Sequence, residues 1–464
     1  MKTVFCLLQL SCAAAALAAE TLVPMSAQTG MNVTIYNEDR ALVKDERKVD
    51  LIQGLNVLAF QGVSANMMPQ TALLKGQGLT TREQNFNFDL LSKDALLDKS
   101  VGQRVLVEYI DPATGKASRE SAELVAYNDR KPVLKINDKI ETDYPGRIIF
   151  SSVPANLRAQ PTLSITTMSD KAGAETVELD YLTTGLSWKA DYVAKLNAEE
   201  TKMSLNGFVT LSNRSGTDYK QALLQLVAGD VNMVPEYVER RARAPKAMMA
   251  FADTMLAGME AEALTDFYIY TLPYKTDVLS NQTKQVALLS AADIAVAKTY
   301  ELRLPVHLLD ESEERGMKPN IFVTFVNSQE NKLGKPLPKG VTRLYKEDAK
   351  GNMQFVGEDR IQHTADKETV RLSIGSAFNL TADMKRTAVR RVSDTVRVGT
   401  YEVTFKNGGD APAQVQLTQE VPDRFKIMEE SQKSERVNSN TVKWVVPVPA
   451  KGETKLTYKI QFQY

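Results

Sequence analysis

Cysteine and histidine are scarce in this 464-residue sequence, which contains two of each. Both cysteines, Cys6 and Cys12, lie at the extreme N-terminus, so the rest of the chain has no disulfide and no cysteine-based zinc site. The two histidines, His307 and His363, are far apart in sequence, and no Gly-x-Ser-x-Gly motif accompanies them. We therefore expect neither a serine hydrolase nor a histidine-based zinc site.

An excess of charge of one sign is also missing. The 57 lysines and arginines balance the 57 aspartates and glutamates, so no overall field attracts nucleic acid or an anionic membrane. Gly76 and Gly78 begin a Gly-x-Gly pattern, but no third glycine follows, and the chain has no P-loop. The favoured interpretation therefore includes no nucleic-acid partner, no cofactor and no bound metal.

Long apolar runs are absent beyond the N-terminus. The start of the chain has a positive Met1–Lys2, a mostly apolar Thr3–Leu10 and an alanine-rich stretch that ends in Ala16-Leu17-Ala18. This pattern predicts a cleaved signal peptide over residues 1–19, because the apolar run is too short to span a bilayer. We expect a periplasmic or secreted protein, of a Gram-negative bacterium, with no transmembrane segment after cleavage.

Alternation of apolar and polar residues with a period of two dominates the remaining chain. It predicts a mainly β fold built from several β-sandwiches. We expect an N-terminal β-meander or sandwich part over 20–88 and a central sandwich over 156–394. The C-terminal domain, 395–464, is expected to be an immunoglobulin-like sandwich. Between them, four short strands and tight turns in residues 89–155 predict a small closed barrel of SH3-like size.

Residues 235–266 form the one long stretch without a strand period, and we expect a Met-rich insertion that is helical or disordered. Its first half is basic and its second half places methionines and a phenylalanine at helical spacing. Three interpretations stay open: a surface insertion that docks on its own domain, a contact with a partner or membrane surface, and copper(I) binding through thioethers. The possible contact residues are Arg240, Arg241, Arg243, Lys246, Met248, Phe251, Met255 and Met259.

One of the two tryptophans stands in a strongly patterned stretch, "SWKADYVAKL". Alternation places one set of residues on the same face of a strand: Trp188, Ala190, Tyr192, Ala194 and Leu196. It places Lys189, Asp191 and Lys195 on the opposite face. This pattern favours an aromatic face inside a sandwich core over a ligand site.

Residues 161–230 resemble a domain of unknown function found in mucoidy-inhibitor-A-like bacterial proteins. Further matching stretches are "GKPLPKGVTRLYKED" (334–348) and "GSAFNLT" (375–381). The matching residues of the first region are Tyr181, Gly185, Trp188, Ala190, Tyr192, Gly207, Asn213, Gly216, Leu226, Ala228 and Gly229. The resemblance is to a shorter secreted branch without a coiled-coil insertion. It implies a link to the cell envelope and carries no catalytic residues.

These observations favour an exported, non-enzymatic cell-envelope protein that acts through contacts with envelope proteins or polysaccharide. Two alternatives remain: an envelope hydrolase that uses carboxylates, and a Met-rich copper-binding protein. Two converging acids with raised pKa values would favour the hydrolase. A shallow surface with an exposed apolar or aromatic patch would favour binding.

Overall fold

The structure, a computed structural model, describes residues 19–87, 90–154, 157–229, 259–264, 267–348, 350–422 and 424–463. Strands dominate, which confirms the predicted mainly β fold. The chain divides into two compact units. The first comprises Met1–Ser187, Ser212–Gln225 and Tyr274–Thr283, and the second Trp188–Leu211, Leu226–Pro273 and Lys284–Tyr464. The predicted signal peptide lies outside the described residues, except for Ala19.

The elements follow one another in chain order. The first part of the chain forms β1 (Glu20–Val23), β2 (Gln28–Tyr36), β3 (Arg40–Leu51), β4 (Gly54–Gln61), β5 (Leu73–Lys75), β6 (Leu79–Asn87), α1 (Lys93–Lys99), β7 (Arg104–Ile110), β8 (Ala117–Asn128), β9 (Lys131–Ile136), β10 (Lys139–Glu141), β11 (Arg147–Ile149), β12 (Thr162–Ser169) and β13 (Gly173–Thr183). The middle part forms β14 (Leu186–Leu196), β15 (Lys202–Asn213), β16 (Tyr219–Ala228), β17 (Glu260–Leu264), β18 (Phe267–Thr271), β19 (Thr276–Val278) and β20 (Gln282–Ala295). The last part forms β21 (Ala297–Leu304), β22 (Glu313–Met317), β23 (Asn320–Val326), β24 (Gly340–Glu347), β25 (Met353–Ile361), β26 (Thr369–Ser376), β27 (Leu380–Arg391), β28 (Val396–Asn407), β29 (Ala413–Glu420), β30 (Arg424–Glu430), β31 (Glu435–Asn438), β32 (Thr441–Val448) and β33 (Gly452–Gln463). Short 3₁₀ turns lie at Met25–Ala27, Pro69–Thr71 and Val306–Leu309.

In the first unit, β2 and β3 pair as an antiparallel hairpin within the order β16-β2-β3-β13-β5. The next strand, β4, joins a different sheet of order β1-β4-β12-β6. The predicted meander is therefore a hairpin followed by a strand that changes sheet. Alternate residues of β3 are buried, as the period of two requires.

Two of those core-facing positions on β3 hold an ion pair instead of apolar side chains. Arg47 and Asp45 are almost completely buried, and Nη2 of Arg47 lies 2.7 Å from Oδ2 of Asp45. Arg47 also donates through Nη1 to the carbonyl oxygens of Val23 (2.7 Å) and Gln61 (2.8 Å). These bonds offset the large cost of removing the guanidinium from water.

Residues 89–155 differ from the predicted closed barrel. Their strands form an open sheet of order β10-β9-β8-β7-β11, and no described strand pairs its two edges. The buried face of this sheet is covered in another way: Leu97 of α1 packs in one apolar cluster with Val105, Val107 and Leu124. Since the helix shields the apolar face, the sheet does not need to close on itself.

The second unit contains a sheet of order β20-β15-β14-β24-β25. On β14, Trp188 and Tyr192 are buried, as predicted, and their polar atoms have partners. The Trp188 indole donates to the carbonyl oxygen of Val227 (3.3 Å), and the Tyr192 hydroxyl donates to that of Pro338 (2.8 Å). This stretch is a structural core.

Asp191 was predicted on the polar face of β14, with Lys189 and Lys195, which are exposed. It is buried instead, because Nη1 of Arg343 and the hydroxyl of Thr210 donate to its two carboxylate oxygens at 3.2 and 2.8 Å.

The C-terminal sandwich packs a sheet of order β26-β23-β21-β29-β32-β31 against one of order β22-β27-β28-β33-β30. It begins near residue 297 rather than at 395, since β21, β23 and β26 belong to its first sheet. Its core holds an aromatic stack: the ring of Tyr458 lies 4.7 Å from Trp444 and 5.3 Å from Tyr401, between centroids.

Candidate functional site

The six-stranded sheet of the C-terminal sandwich has one face in the core and one face outside it. Along β21, Leu302 and Leu304 are buried in the core, so Glu301 and Arg303 lie on the outer face. The same alternation on β23 places Phe322 on the outer face. A sequence pattern with a period of two thus produces a continuous outer surface of charged, aromatic and polar side chains.

Part of this surface is an open cleft of about 550 Å³. Strand pairing brings its walls together from distant parts of the chain: Arg303 is aligned with Thr418 on the parallel neighbour β29, and Glu301 is aligned with Asn320 on β23. We refer to it as the sheet cleft; its lining residues are Glu301, Leu302, Arg303, Asn320, Phe322, Arg371, Thr418, Asn438 and Thr441.

The first feature of the sheet cleft is a stacked platform. The guanidinium carbon of Arg371 lies 3.4 Å from the centroid of the Phe322 ring, and Arg371 also forms an ion pair with Glu301. The guanidinium contacts both the ring and the carboxylate, and the Arg371 side chain is still 47% exposed. This platform is a flat, partly apolar surface that carries hydrogen-bond donors at its edge.

The second feature is neutral charge. Arg303 is paired with Glu420 in the same way that Arg371 is paired with Glu301. The charges of these two arginines and two glutamates therefore cancel within and beside the sheet cleft.

The third feature is a set of amides and hydroxyls around the platform. Asn320, Thr418, Asn438 and Thr441 bring carboxamide or hydroxyl groups to the cleft. Together with the paired charges, these groups can donate to and accept from the hydroxyl groups of a polar, uncharged ligand.

Outside the sheet cleft, the described carboxyl groups that have a shifted pKa have a lowered pKa. In the described ranges, hydrogen bonds from Arg119, Lys75 and Lys332 are the largest causes of the lowered pKa of Glu108, Glu178 and Asp293, respectively. The pKa is also lowered at Asp111, Glu200, Glu313, Glu330, Asp348 and Asp383. The general acid of a glycosidase needs the opposite shift.

The predicted contact residues fall almost entirely outside the described residues. This applies to Arg240, Arg241, Arg243, Lys246, Met248, Phe251 and Met255. Met259 is described, and it is only 2% exposed.

The position of Met259 corrects its predicted role as a surface contact. Its amide donates to the Leu288 carbonyl oxygen (3.2 Å), and its own carbonyl oxygen accepts from Nζ of Lys335 (3.1 Å). The next residues, Glu260–Leu264, form β17, which pairs with β18, so the end of the predicted helical or disordered insertion is a β-hairpin. At Glu260–Leu264, strand pairing therefore replaces the predicted helical or disordered conformation.

Sequence reasoning missed the sheet cleft, although it identified the strands. The period of two in "TYELRLP" and "IFVTFVNS" predicts strands and places Glu301, Arg303 and Phe322 on the outer face of theirs. That Arg371 and Thr418 would join them depends on strand order, which no local pattern encodes.

The candidate catalytic and metal-binding residue types do not gather in the structure. His307 and His363 are both exposed, and neither lines the sheet cleft. Among the described residues, no group of three or more His, Cys, Asp or Glu side chains is arranged to hold a metal ion. The same residues include no helix with the length and apolar character needed to cross a membrane.

Comparison with known proteins places the sheet cleft inside a family match. Residues 177–464 match the family described as "Domain of unknown function (DUF4139)". Among curated proteins, no match to the chain was found. All residues that line the sheet cleft lie within the matched range.

Proposed function

We propose that this chain, which belongs to the DUF4139 family, is an exported cell-envelope protein that works by binding, and that its sheet cleft binds a neutral glycan. The mucoidy-inhibitor-like resemblance of residues 161–230 supports an envelope role. The N-terminal pattern of Lys2, an apolar run and Ala16-Leu17-Ala18 supports export to the periplasm or beyond.

The observation that carries the proposal is the stacked platform of Phe322 and Arg371 in a cleft without net charge. Sugar rings present C–H faces that pack on flat, partly apolar surfaces, and their hydroxyls bind amides and ion-paired side chains at the edges. Because Arg303 and Arg371 are already neutralised by glutamates, a charged ligand gains little over a neutral one.

The openness of the cleft supports a polymer as the ligand. Sites for small molecules enclose most of the ligand surface, whereas this cleft lies on the outer face of a sheet and Arg303 is 76% exposed. A chain of sugars can extend along the strands with a few units in the cleft.

The proposal is tested with a panel of neutral and anionic oligosaccharides and the purified chain. Binding of a neutral oligosaccharide that weakens about tenfold in both Phe322→Ala and Arg371→Ala supports it; tenfold corresponds to about 1.4 kcal/mol, within the range for an aromatic or cation–π contact. Binding that is unchanged in both variants, or confined to anionic glycans, contradicts it.

Matched control variants exist in the same unit. Arg315→Ala removes an exposed arginine paired with Glu313 (2.8 Å) on β22, in the other sheet of the sandwich. Phe355→Ala removes an exposed phenylalanine of β25 that contacts Tyr345 of β24. Both should bind like the native chain. The same samples are assayed for new reducing ends, whose release would favour the carboxylate hydrolase instead.

A further inference from the structure

One end of the C-terminal sandwich is formed by three linked loops. They are residues 377–379 between β26 and β27, 408–412 between β28 and β29, and 449–451 between β32 and β33. The amide of Gly408 donates to the carbonyl oxygen of Asn379 (2.7 Å), and the amide of Lys451 donates to the carbonyl oxygen of Gly409 (3.1 Å). These bonds connect the loops, so side chains on them keep a defined relation to one another.

The first loop exposes a phenylalanine. Phe378 is 87% exposed, and the next most exposed large apolar side chain among the described residues, Ile52, is 60% exposed. Nζ of Lys318 lies 5.6 Å from the centroid of the Phe378 ring. A single exposed apolar residue is ordinary, but the Phe378 ring lies at a hollow that is large enough to hold a phenylalanine ring.

The hollow opens at the end of the sandwich core, and Phe378 is one of the residues that line it. Its volume is about 240 Å³, and its floor and walls include Tyr300, Ile321 and Leu380. Tyr300 and Ile321 pack against the main core cluster, and Leu380 belongs to it. A cavity of about 150 Å³ is enough to hold benzene, so this hollow has room for the ring of a phenylalanine.

The exposed ring and the hollow are each accompanied by a charged side chain, and the two charges are opposite in sign. Lys318 lies beside the exposed ring, and Asp410, which is 94% exposed, lies on the rim of the hollow. Asp410 is within 3.0 Å of Lys451, an exposed pair that is screened by water and easily rearranged.

We propose that this end of the sandwich binds a second copy of the chain, with Phe378 of each copy inserted into the hollow of the other. A ring and a hollow that lie side by side on one surface are self-complementary under a twofold rotation, which closes the assembly at two copies. The same rotation brings Lys318 of each copy toward Asp410 of the other. The pairing does not depend on the sheet cleft.

The dimer is reversible and weak. Three loop ends give a contact smaller than a standard interface, and association must first overcome the lost rotational and translational freedom. The two inserted rings and the two charge pairs are therefore the features that decide whether the dimer forms.

Sedimentation velocity over a concentration series that reaches the millimolar range tests the proposal on the full chain. The native chain should show a reversible monomer–dimer equilibrium, and Phe378→Ser should raise its dissociation constant at least tenfold. Phe355→Ser, which also removes an exposed phenylalanine, should leave the constant unchanged. A native chain that stays monomeric throughout the series, or a dimer indifferent to Phe378→Ser, overturns the proposal.

Reversal of the charges of Lys318 and Asp410 distinguishes the proposed dimer from any other contact made by the same surface. Lys318→Glu and Asp410→Lys should each weaken the dimer, because each places like charges opposite one another. The double variant should restore it, since the pairs are re-formed with their signs exchanged. Two single variants that weaken the dimer without restoration in the double variant also overturn the proposal.

Discussion

The inner and outer faces of one sheet in the C-terminal sandwich use aromatic side chains in opposite ways. On the inner face, Trp444 is fully buried, stacks on Tyr458, and donates through Nε1 to Oε2 of Glu430 (3.0 Å). On the outer face, Phe322 supports an exposed guanidinium in an open cleft. An aromatic residue in a strand therefore does not mark a site by itself; its exposure and its partners decide between core and binding surface.

The largest effect should come from the inner face. Trp444→Ala removes a buried ring and leaves a cavity, so we expect a loss of about 3–5 kcal/mol in the free energy of unfolding. Chemical denaturation of the variant measures it. Trp444→Phe should lose less, because most of the apolar volume stays. A loss below about 1 kcal/mol in Trp444→Ala would show that the stack is not a core.

A smaller effect is expected when only a polar group is removed from the core, at Tyr458 of the facing sheet. The Tyr458 hydroxyl donates to Oε1 of Gln419 (2.9 Å), and both side chains are buried. Tyr458→Phe keeps the stacked ring and leaves the Gln419 oxygen without this donor, which should cost about 1–3 kcal/mol. A loss below about 0.5 kcal/mol would mean that the hydrogen bond contributes little.

The buried tyrosines also make stability depend on alkaline pH. Burial raises the pKa of Tyr458, and that of Tyr219 to about 12, so both stay protonated in the folded chain when the unfolded chain ionises near pH 10. Their contribution to the free energy of unfolding is complete below pH 10 and is lost as the pH rises above 10. Each such tyrosine lowers the free energy of unfolding by up to about 1.4 kcal/mol per pH unit in that window.

Tyr458→Phe should reduce this alkaline slope, measured by denaturation between pH 9 and pH 11. Equal slopes in the native chain and Tyr458→Phe would contradict the prediction.

The smallest effect on stability should come from the outer face. Phe322→Ala removes a half-buried ring and its contact with Arg371, so we expect a change of about 1 kcal/mol or less. A large loss of stability would mean that Phe322 belongs to the core rather than to a binding surface.

The sequence predicted local features well and strand order poorly. Alternation identified the buried face of β14, including Trp188 and Tyr192, because burial follows directly from the period of two. It misassigned Asp191, whose partner Arg343 comes from β24, far along the chain. The sheet cleft was missed for the same reason, since Arg371 and Glu301 meet only after β26, β23 and β21 pair.

The predicted closed barrel shows a second limit of sequence patterns. The sequence predicts four strands in residues 89–155, whereas the structure has five, β7 to β11, and the pattern does not tell how their apolar face is covered. The short helix α1, which begins after the N-cap Ser92, supplies Leu97 for that purpose. A helix of this length has too weak a periodic signal to be recognised from sequence.

Isothermal titration of one neutral oligosaccharide into the native chain and into Phe322→Ala shows whether the outer sheet face binds a neutral glycan. We expect saturable binding to the native chain that changes little with salt, because the cleft is neutral. We also expect about tenfold weaker binding to the variant, with an unchanged free energy of unfolding to within about 1 kcal/mol. Equal affinity of the native chain and a fully folded Phe322→Ala would contradict it.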